Sequence, residues 1–252
     1  MPRSCCKRLC CNLKAENLTV RYDDAVCALR DVGFSVRDGE RVALIGANGA
    51  GKSTLLLTLV GVLPAESGEI SLEDVPVGKE TLREFRRRVG MVFQNPDDQL
   101  FMPTVYEDIA FGPRNYGLSE EEIETRINGV LDRFGIARLR DRMTHKLSGG
   151  EKRLVALAGI LVMEPSVLLM DEPSSFLDPR SRRKLIETLD KLPQTMLIAT
   201  HDLDLALDLC RRAILLDEGR VRADAPIEEI LSDAALLESC GLELPLSTGH
   251  LR

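Results

Sequence analysis

Eight consecutive residues, Gly46-Ala47-Asn48-Gly49-Ala50-Gly51-Lys52-Ser53, combine three glycines, a lysine and a hydroxyl in a spacing suited to a chain of phosphates. Glycines let the backbone curl so that successive N–H groups face one anion, and the positive end of a following helix adds to the attraction. Lys52 has the length to reach the β- and γ-phosphates, and the hydroxyl of Ser53, with Thr54 beside it, suits a magnesium ion. The apolar run Val42-Ala43-Leu44-Ile45 precedes this turn and Thr54-Leu55-Leu56-Leu57 follows it, so the turn falls between a buried strand and a helix. The chemistry this spacing predicts is binding of a nucleoside triphosphate.

Two further clusters complete a reaction centre. Val167-Leu168-Leu169-Met170-Asp171-Glu172 is an apolar strand ending in two acids, and the carboxyl end of a parallel strand is where sheets of this kind bind ligands. Asp171 is placed to hold the magnesium shell, and Glu172 to polarise a water for in-line attack on the γ-phosphate. Leu147-Ser148-Gly149-Gly150-Glu151 precedes a long apolar helix, Arg153 to Met163, and offers a second set of amides with a serine hydroxyl. Alone, Ser-Gly-Gly before a helix is a plain cap. Beside a lysine-bearing cradle it becomes a second anion site, and one triphosphate does not fit two cradles on different subdomains of one chain. A head-to-tail dimer resolves this, with Ser148, Gly149 and Gly150 of one copy covering the nucleotide held by Lys52 of the other.

The elements that position these residues are legible in outline. Short strands are predicted at Asn17 to Tyr22, Val32 to Val36, Arg41 to Ile45, Ile70 to Leu72 and Val89 to Phe93, the first forming an antiparallel edge. A helix is predicted over Lys52 to Val60. From about 95 to 165 the texture turns helical, with Ser119-Glu120-Glu121-Glu122 opening a helix that ends near Gly135. The apolar runs Val167 to Met170, Thr195 to Thr200 and Ala213 to Leu216 alternate with charged helices at Arg180 to Lys191 and Leu203 to Cys210. That alternation predicts an α/β fold whose parallel sheet is covered on both faces. One or two short helices are expected after Pro226.

Composition narrows the partners. The net charge of -7 argues against a nucleic-acid surface. The longest apolar runs reach about ten residues, half of what a bilayer span requires, and Arg3, Lys7 and Arg8 interrupt the start where a secretory signal would be apolar. The cytosol is therefore expected. Cys5, Cys6, Cys10 and Cys11 crowd an N-terminal extension over residues 1–13; adjacent cysteines project poorly for tetrahedral ligation, and the segment reads as a tail outside the domain. Cys27, Cys210 and Cys240 sit singly among apolar residues and read as small core fillers.

In this order and spacing the motifs resemble the nucleotide-binding subunit of ABC transporters, from about Lys14 to Val221. The resemblance rests on Gly46 to Ser53, Phe93-Gln94-Asn95-Pro96, Leu147 to Glu151, Asp171-Glu172, Ser174-Ser175-Phe176-Leu177-Asp178 and Thr200-His201-Asp202. It implies a P-loop NTPase of RecA-like type: a parallel core with an antiparallel β edge, an inserted helical subdomain at about 95–165, a cassette over 14–230 and a short tail over 231–252. It also implies an ATPase using ATP and Mg2+. Tyr22 would stack on adenine, Gln94 would join magnesium and the attacking water to the membrane partner, His201 would contact the γ-phosphate, and Asp178 would lie at the dimer seam. Read without the family, Tyr22 is an edge-strand aromatic, Gln94 a polar loop residue and His201 a structural histidine. Phe176 departs from the family, which usually has glycine there.

The stretch from Gln94 to Phe101, continued through Thr104 to Asn115, and the run Ser148 to Gly159 look most like the energy-coupling-factor group, and within it like ATPases of cobalt and nickel importers, with vitamin importers as neighbours. The resemblance implies a transmembrane importer subunit as partner, a second ATPase subunit in a homodimer or heterodimer, no nucleic acid, and a peripheral position on the cytoplasmic face of the cell (inner) membrane. Other ABC transporters, or a soluble ABC ATPase acting on nucleic acid or ribosomes, are the competing readings.

Overall fold

The computed structural model describes residues 12–22 and 26–245, so Cys5, Cys6, Cys10 and Cys11 lie outside the described residues. The chain opens with a long hairpin, β1 (Leu13–Tyr22) and β2 (Val26–Val36), followed by β3 (Arg41–Ile45), α1 (Lys52–Leu59), β4 (Ser67–Leu72) and β5 (Val75–Pro76). Then come α2 (Leu82–Arg88), β6 (Val89–Val92) and three longer helices, α3 (Val105–Asn115), α4 (Glu120–Arg133) and α5 (Gly149–Leu161). The remainder alternates: β7 (Val167–Asp171), α6 (Pro179–Asp190), β8 (Thr195–Thr200), α7 (Leu203–Leu209), β9 (Arg212–Asp217), β10 (Arg220–Pro226), α8 (Ile227–Ser232) and α9 (Ala234–Ser239).

Two sheets result. One runs β2-β1-β4-β5 and is antiparallel; the other runs β10-β9-β3-β8-β7-β6, with only β10 antiparallel to its neighbour. The expected antiparallel edge is thus a sheet of its own, and β1 is an interior strand of it, hydrogen-bonded on both sides.

The five parallel strands are apolar along their length because both faces are covered, and their two-residue period divides the core in two. Val42, Leu44, Leu197 and Ile214 face α1 (Leu55, Leu56, Leu59) and the antiparallel sheet. Ala43, Ile45, Ile198 and Leu215 face the other way, onto Leu157 of α5, Leu205 of α7 and, further out, Ile109 and Ile127 of α3 and α4. α1 is thereby pinned between two sheets, which fixes the turn leading into it.

Gly90 admits α5 to this arrangement. A Cβ there would stand 2.2 Å from Ile160 Cγ2, so a bare backbone is what lets the helix lie against β6. Of the isolated cysteines, Cys210 and Cys240 are buried as expected, whereas Cys27 is half-buried and donates from Sγ to the carbonyl of Leu29 at 3.2 Å. The expectation of a core filler fails for Cys27 because the far end of the β1–β2 hairpin projects past the core.

Candidate active site

Strand register gathers the chemistry at one edge. Ile45 pairs with Thr200, and Ala199 with Asp171, so the residues next beyond the ends of β3, β8 and β7 are Gly46, His201 and Glu172, side by side. Val92 pairs with Met170, which brings Gln94 off the sheet one strand further along.

The glycine-rich turn has the form the sequence predicts. Gly49 (φ 84°) and Gly51 (φ 105°) take left-handed conformations, and a Cβ on Gly51 would lie 2.8 Å from the carbonyl oxygen of Ala28, so the turn nestles against β2 only because no side chain intervenes. Gly46 and Ala50 are buried, whereas Asn48 and Gly49 form the exposed crest. Gly51 caps α1 without a side chain, whereas the other described helices of eight residues or more begin at Thr104, Ser119, Ser148 and Asp178, each bonding its own helix. The first amides of α1 are left for an external acceptor. Lys52, 7% exposed, folds its ammonium back to donate to the carbonyls of Gly46 (2.5 Å) and Ala47 (3.1 Å) and stands 4.0 Å from Glu172. Burial pushes its pKa below the ordinary lysine value, against the pull of Glu172 and Asp171. At the outer end of the turn the Tyr22 hydroxyl meets the Thr54 hydroxyl at 3.2 Å.

Asp171 and Glu172 are both buried but differently held. Asp171 Oδ1 has no hydrogen-bond partner. Burial raises the pKa of this carboxyl, and the Ser53 hydroxyl facing it works in the opposite direction. An orphaned carboxylate oxygen beside a hydroxyl is a donor set that fits a hard divalent cation such as Mg2+. Glu172 turns out of the strand at φ 45°, a left-handed conformation costly for a side chain of its kind. The turn aims its carboxylate at the end of β8, where Thr200 Oγ1 donates at 3.1 Å, the His201 amide at 3.0 Å and His201 Nδ1 at 2.8 Å. The Nδ1 bond leaves Nε2 of the exposed imidazole for an outside group.

Gln94 has an exposed side chain, and its backbone carbonyl is held from α5 by Arg153. Ser148 caps the start of α5. Its hydroxyl accepts from the Glu151 amide at 3.3 Å while the Glu151 carboxylate receives the Ser148 amide at 3.0 Å, a reciprocal cap. Arg138 holds Glu151 from outside at 3.0 Å. Among the described residues no hydrogen bond or ion pair joins Ser148, Gly149 or Gly150 to the glycine-rich turn. A cavity of about 230 Å³ opens beside the start of α5, lined by Ser148, Gly150, Leu177 and Ser181, and Ser181 packs against Gly150 so closely that a Cβ there would lie 2.8 Å from its hydroxyl.

Sequence reasoning passed over three contributors. Thr200 reads as the last residue of an apolar strand, yet its hydroxyl both holds Glu172 and accepts from the Asp202 amide at 3.0 Å. Arg182 grips the Asp202 carboxylate with two bonds, at 2.9 and 3.0 Å, and Ser174 adds a third at 3.2 Å, tying the turn after Glu172 to the one after His201. Arg153 is the third. Phe176, expected to be an anomaly, takes φ 63°, a conformation glycine adopts without strain, and is 89% exposed.

The family described as ABC transporter matches residues 29–175, spanning the glycine-rich turn, the capped helix and the acid pair. The chain belongs to the ABC transporter family. A putative ABC transporter ATP-binding protein of Gloeobacter violaceus is 54% identical over 94% of this chain and 98% of its own. An energy-coupling factor transporter ATP-binding protein, EcfA, of Methanoculleus marisnigri is 45% identical over 92% of this chain and 86% of its own. Among solved structures, cbiO1 from Clostridium perfringens, part of the ABC transporter complex cbiONQ, superposes with a TM-score of 0.80 at 39% identity, covering 95% of this chain and 97% of that one. The fold is that of the ABC ATPase cassette, and its activity is ATP binding and hydrolysis. ABC ATPases work as pairs with transmembrane partners. Among the described residues of this ABC ATPase no helix is long and apolar enough to cross a membrane.

Proposed function

We propose that this chain is the ATPase of an energy-coupling-factor importer for cobalt or nickel ions, closing in pairs on two ATP molecules and so moving a membrane partner. The observation that carries the catalytic part is the uncapped start of α1, with a buried lysine behind it and two buried acids at the neighbouring strand ends. The metal-ion part draws support from the names of the relatives, EcfA and a component of cbiONQ.

Each residue has a task in this reading. The amides of Gly46 to Ser53 and Thr54 hold the phosphates, Lys52 exchanges its two backbone carbonyls for phosphate oxygens, and Tyr22 stacks on the base. Ser53, Asp171 and Gln94 would hold Mg2+, which when bound would neutralise phosphate charge. Glu172, fixed by Thr200 and His201, orients the attacking water and takes its proton on the carboxylate, while His201 Nε2 contacts the γ-phosphate. Ser148, Gly149 and Gly150 come from the second copy in this reading, because among the described residues no hydrogen bond or ion pair joins them to the cradle of their own chain. Binding favours the closed pair and hydrolysis reopens it. The pair, homodimeric or with a sister ATPase, would sit peripherally on the cytoplasmic face of the membrane; the net charge of -7 supports the absence of a nucleic-acid partner.

Glu172→Gln tests the mechanism. ATP binding is expected to persist while turnover falls about a thousandfold or more and a closed dimer accumulates, read by size-exclusion chromatography with ATP. Turnover at the normal rate would remove Glu172 from its role. Uptake of radioactive nickel or cobalt by cells with and without this subunit tests the cargo, and dependence of vitamin uptake instead would reassign it.

A further inference from the structure

We infer that Arg153 is a positioning residue for hydrolysis: from α5 it fixes the backbone of Phe93 and Gln94, and through them the Gln94 side chain. The inference rests on the role proposed for Gln94.

Arg153 is 2% exposed, a charge buried at the point where α5 turns from its polar first turn, Glu151 and Lys152, into the apolar run that follows. It donates from one guanidinium nitrogen to the carbonyl of Phe93 at 2.6 Å and from another to the carbonyl of Gln94 at 2.5 Å, while Nε has no partner. No carboxylate approaches within ion-pair distance among the described residues, and the charge is met only at longer range by Asp171. A buried cation satisfied by carbonyls alone costs stability, and an apolar side chain of equal length would fill the same space. What the guanidinium adds is a fork spanning two successive peptide groups, and so a fixed direction for the residues that carry them.

The same face of α5 holds the rest of the loop. Lys152 Nζ meets Asp97 at 2.5 Å, and Gln99 Nε2 donates to the carbonyl of Ala156 at 2.8 Å. Gln99 Oε1 in turn accepts from the Phe93 amide at 3.3 Å. Residues 93–99 are therefore strapped to one helix at successive turns, and that helix begins at Ser148, the end proposed to meet the partner's nucleotide. Displacement of the Ser148 end is passed to Gln94 as a rigid movement, and Arg153 is the strap nearest the reacting atoms.

The test uses Arg153→Met, Arg153→Lys, Gln94→Ala and the Arg153→Met/Gln94→Ala pair in the full chain. The Met variant is expected to fold, to bind a fluorescent ATP analogue within about threefold of the parent, and to lose about tenfold in kcat with KM little changed, the signature of an interaction needed after binding. Lysine restores one donor but not the fork, so Arg153→Lys is expected to fall between. Hydrogen exchange at the amides of residues 97–99 is expected to quicken about tenfold in the Met variant. If Arg153 acts through Gln94, the pair loses no more than about threefold beyond the worse single variant. Additive losses, or unchanged exchange in the loop, would overturn the inference, and Arg153→Lys answers the same questions should Arg153→Met not fold. Should Gln94→Ala keep full kcat, the role of Gln94 fails and the catalytic half of the inference with it, whereas loop exchange still reads the strap by itself.

Discussion

Asp171 is a residue whose discomfort in the nucleotide-free protein measures what it is for. Its carboxylate is buried with one oxygen orphaned, and burial raises its pKa. With the folded value above the unfolded one, the native state binds the proton more tightly, so the ionised form is a destabilising burden that grows as pH rises through the raised value and vanishes in acid. Asp171→Asn is therefore expected to stabilise the nucleotide-free protein by about 1 kcal/mol near neutral pH, with the gain shrinking in acid, while erasing the additional stabilisation that ATP gains from Mg2+. Thermal melts across pH, with and without Mg-ATP, check both halves; a variant less stable than the parent at neutral pH would show that the carboxylate is better accommodated than its orphaned oxygen implies. Glu172, one residue on, has the opposite character, with three donors on its carboxylate and the strain moved into its backbone.

At the scale of elements, the helical insertion is held by its own polar staples. Arg140 grips both oxygens of Glu124 on α4 at 2.5 and 2.7 Å, reaches Asn128 at 3.0 Å and stacks 4.5 Å from the Tyr106 ring centroid on α3. That grip holds the Glu124 carboxylate well below the ordinary glutamate range, down to about 2. A lowered carboxylate contributes stability present above the unfolded value and lost as pH falls through the folded one, so acid unfolding is expected to steepen between roughly pH 4.5 and 2, and Glu124→Gln to flatten that limb. Circular dichroism against pH is the measurement. Where α5 lies against the sheet, Gly90→Ala would drive a methyl into Ile160 and is expected to cost about 1–3 kcal/mol in a denaturant titration. How much of this the sequence discloses depends on the kind of information each element uses. Arg41–Ile45 and Thr195–Thr200 are read to the residue, because a strand buried on both faces is an unbroken apolar run bounded by polar turns. β1 begins four residues before its predicted start and β2 six, because register shifts between the paired strands break the alternation that marks a half-buried strand. α2 goes unread: only Phe85 of its seven residues is buried, so no apolar period exists to find. Ser148 and Glu172 are picked out by type and spacing and Gln94 only by the family resemblance, but a charged Arg153 in a helix reads as solvent-facing, and only the two carbonyls that tertiary folding places before it make burial possible.

For the whole molecule, no hydrogen bond or ion pair among the described residues joins residues 148–150 to the glycine-rich turn, and closure of a pair is what the proposed mechanism requires. The turn from Ser174 to Asp178 is where that closure can be tested. The Ser175 amide bonds the Glu172 carbonyl at 3.1 Å, the Leu177 amide bonds the Ser174 carbonyl at 3.2 Å, and Asp178 caps α6 through the amides of Arg180 and Ser181. At its tip stands Phe176, left-handed and almost wholly in water. In a lone subunit both properties are costs: about 1 kcal/mol for the backbone, and an aromatic ring left exposed. With the turn at the seam of the proposed pair the ring would be covered, and burying half of a phenylalanine side chain is worth about 1 kcal/mol. Asparagine tolerates the left-handed conformation better and has nothing to bury. Phe176→Asn is thus expected to raise the melting temperature of the nucleotide-free subunit by a few degrees while weakening the ATP-trapped dimer of the Glu172→Gln variant about tenfold. Sedimentation with and without ATP reads the second effect and calorimetry the first. A trapped dimer of unchanged affinity would place Phe176 away from the seam and leave its exposure to some other surface.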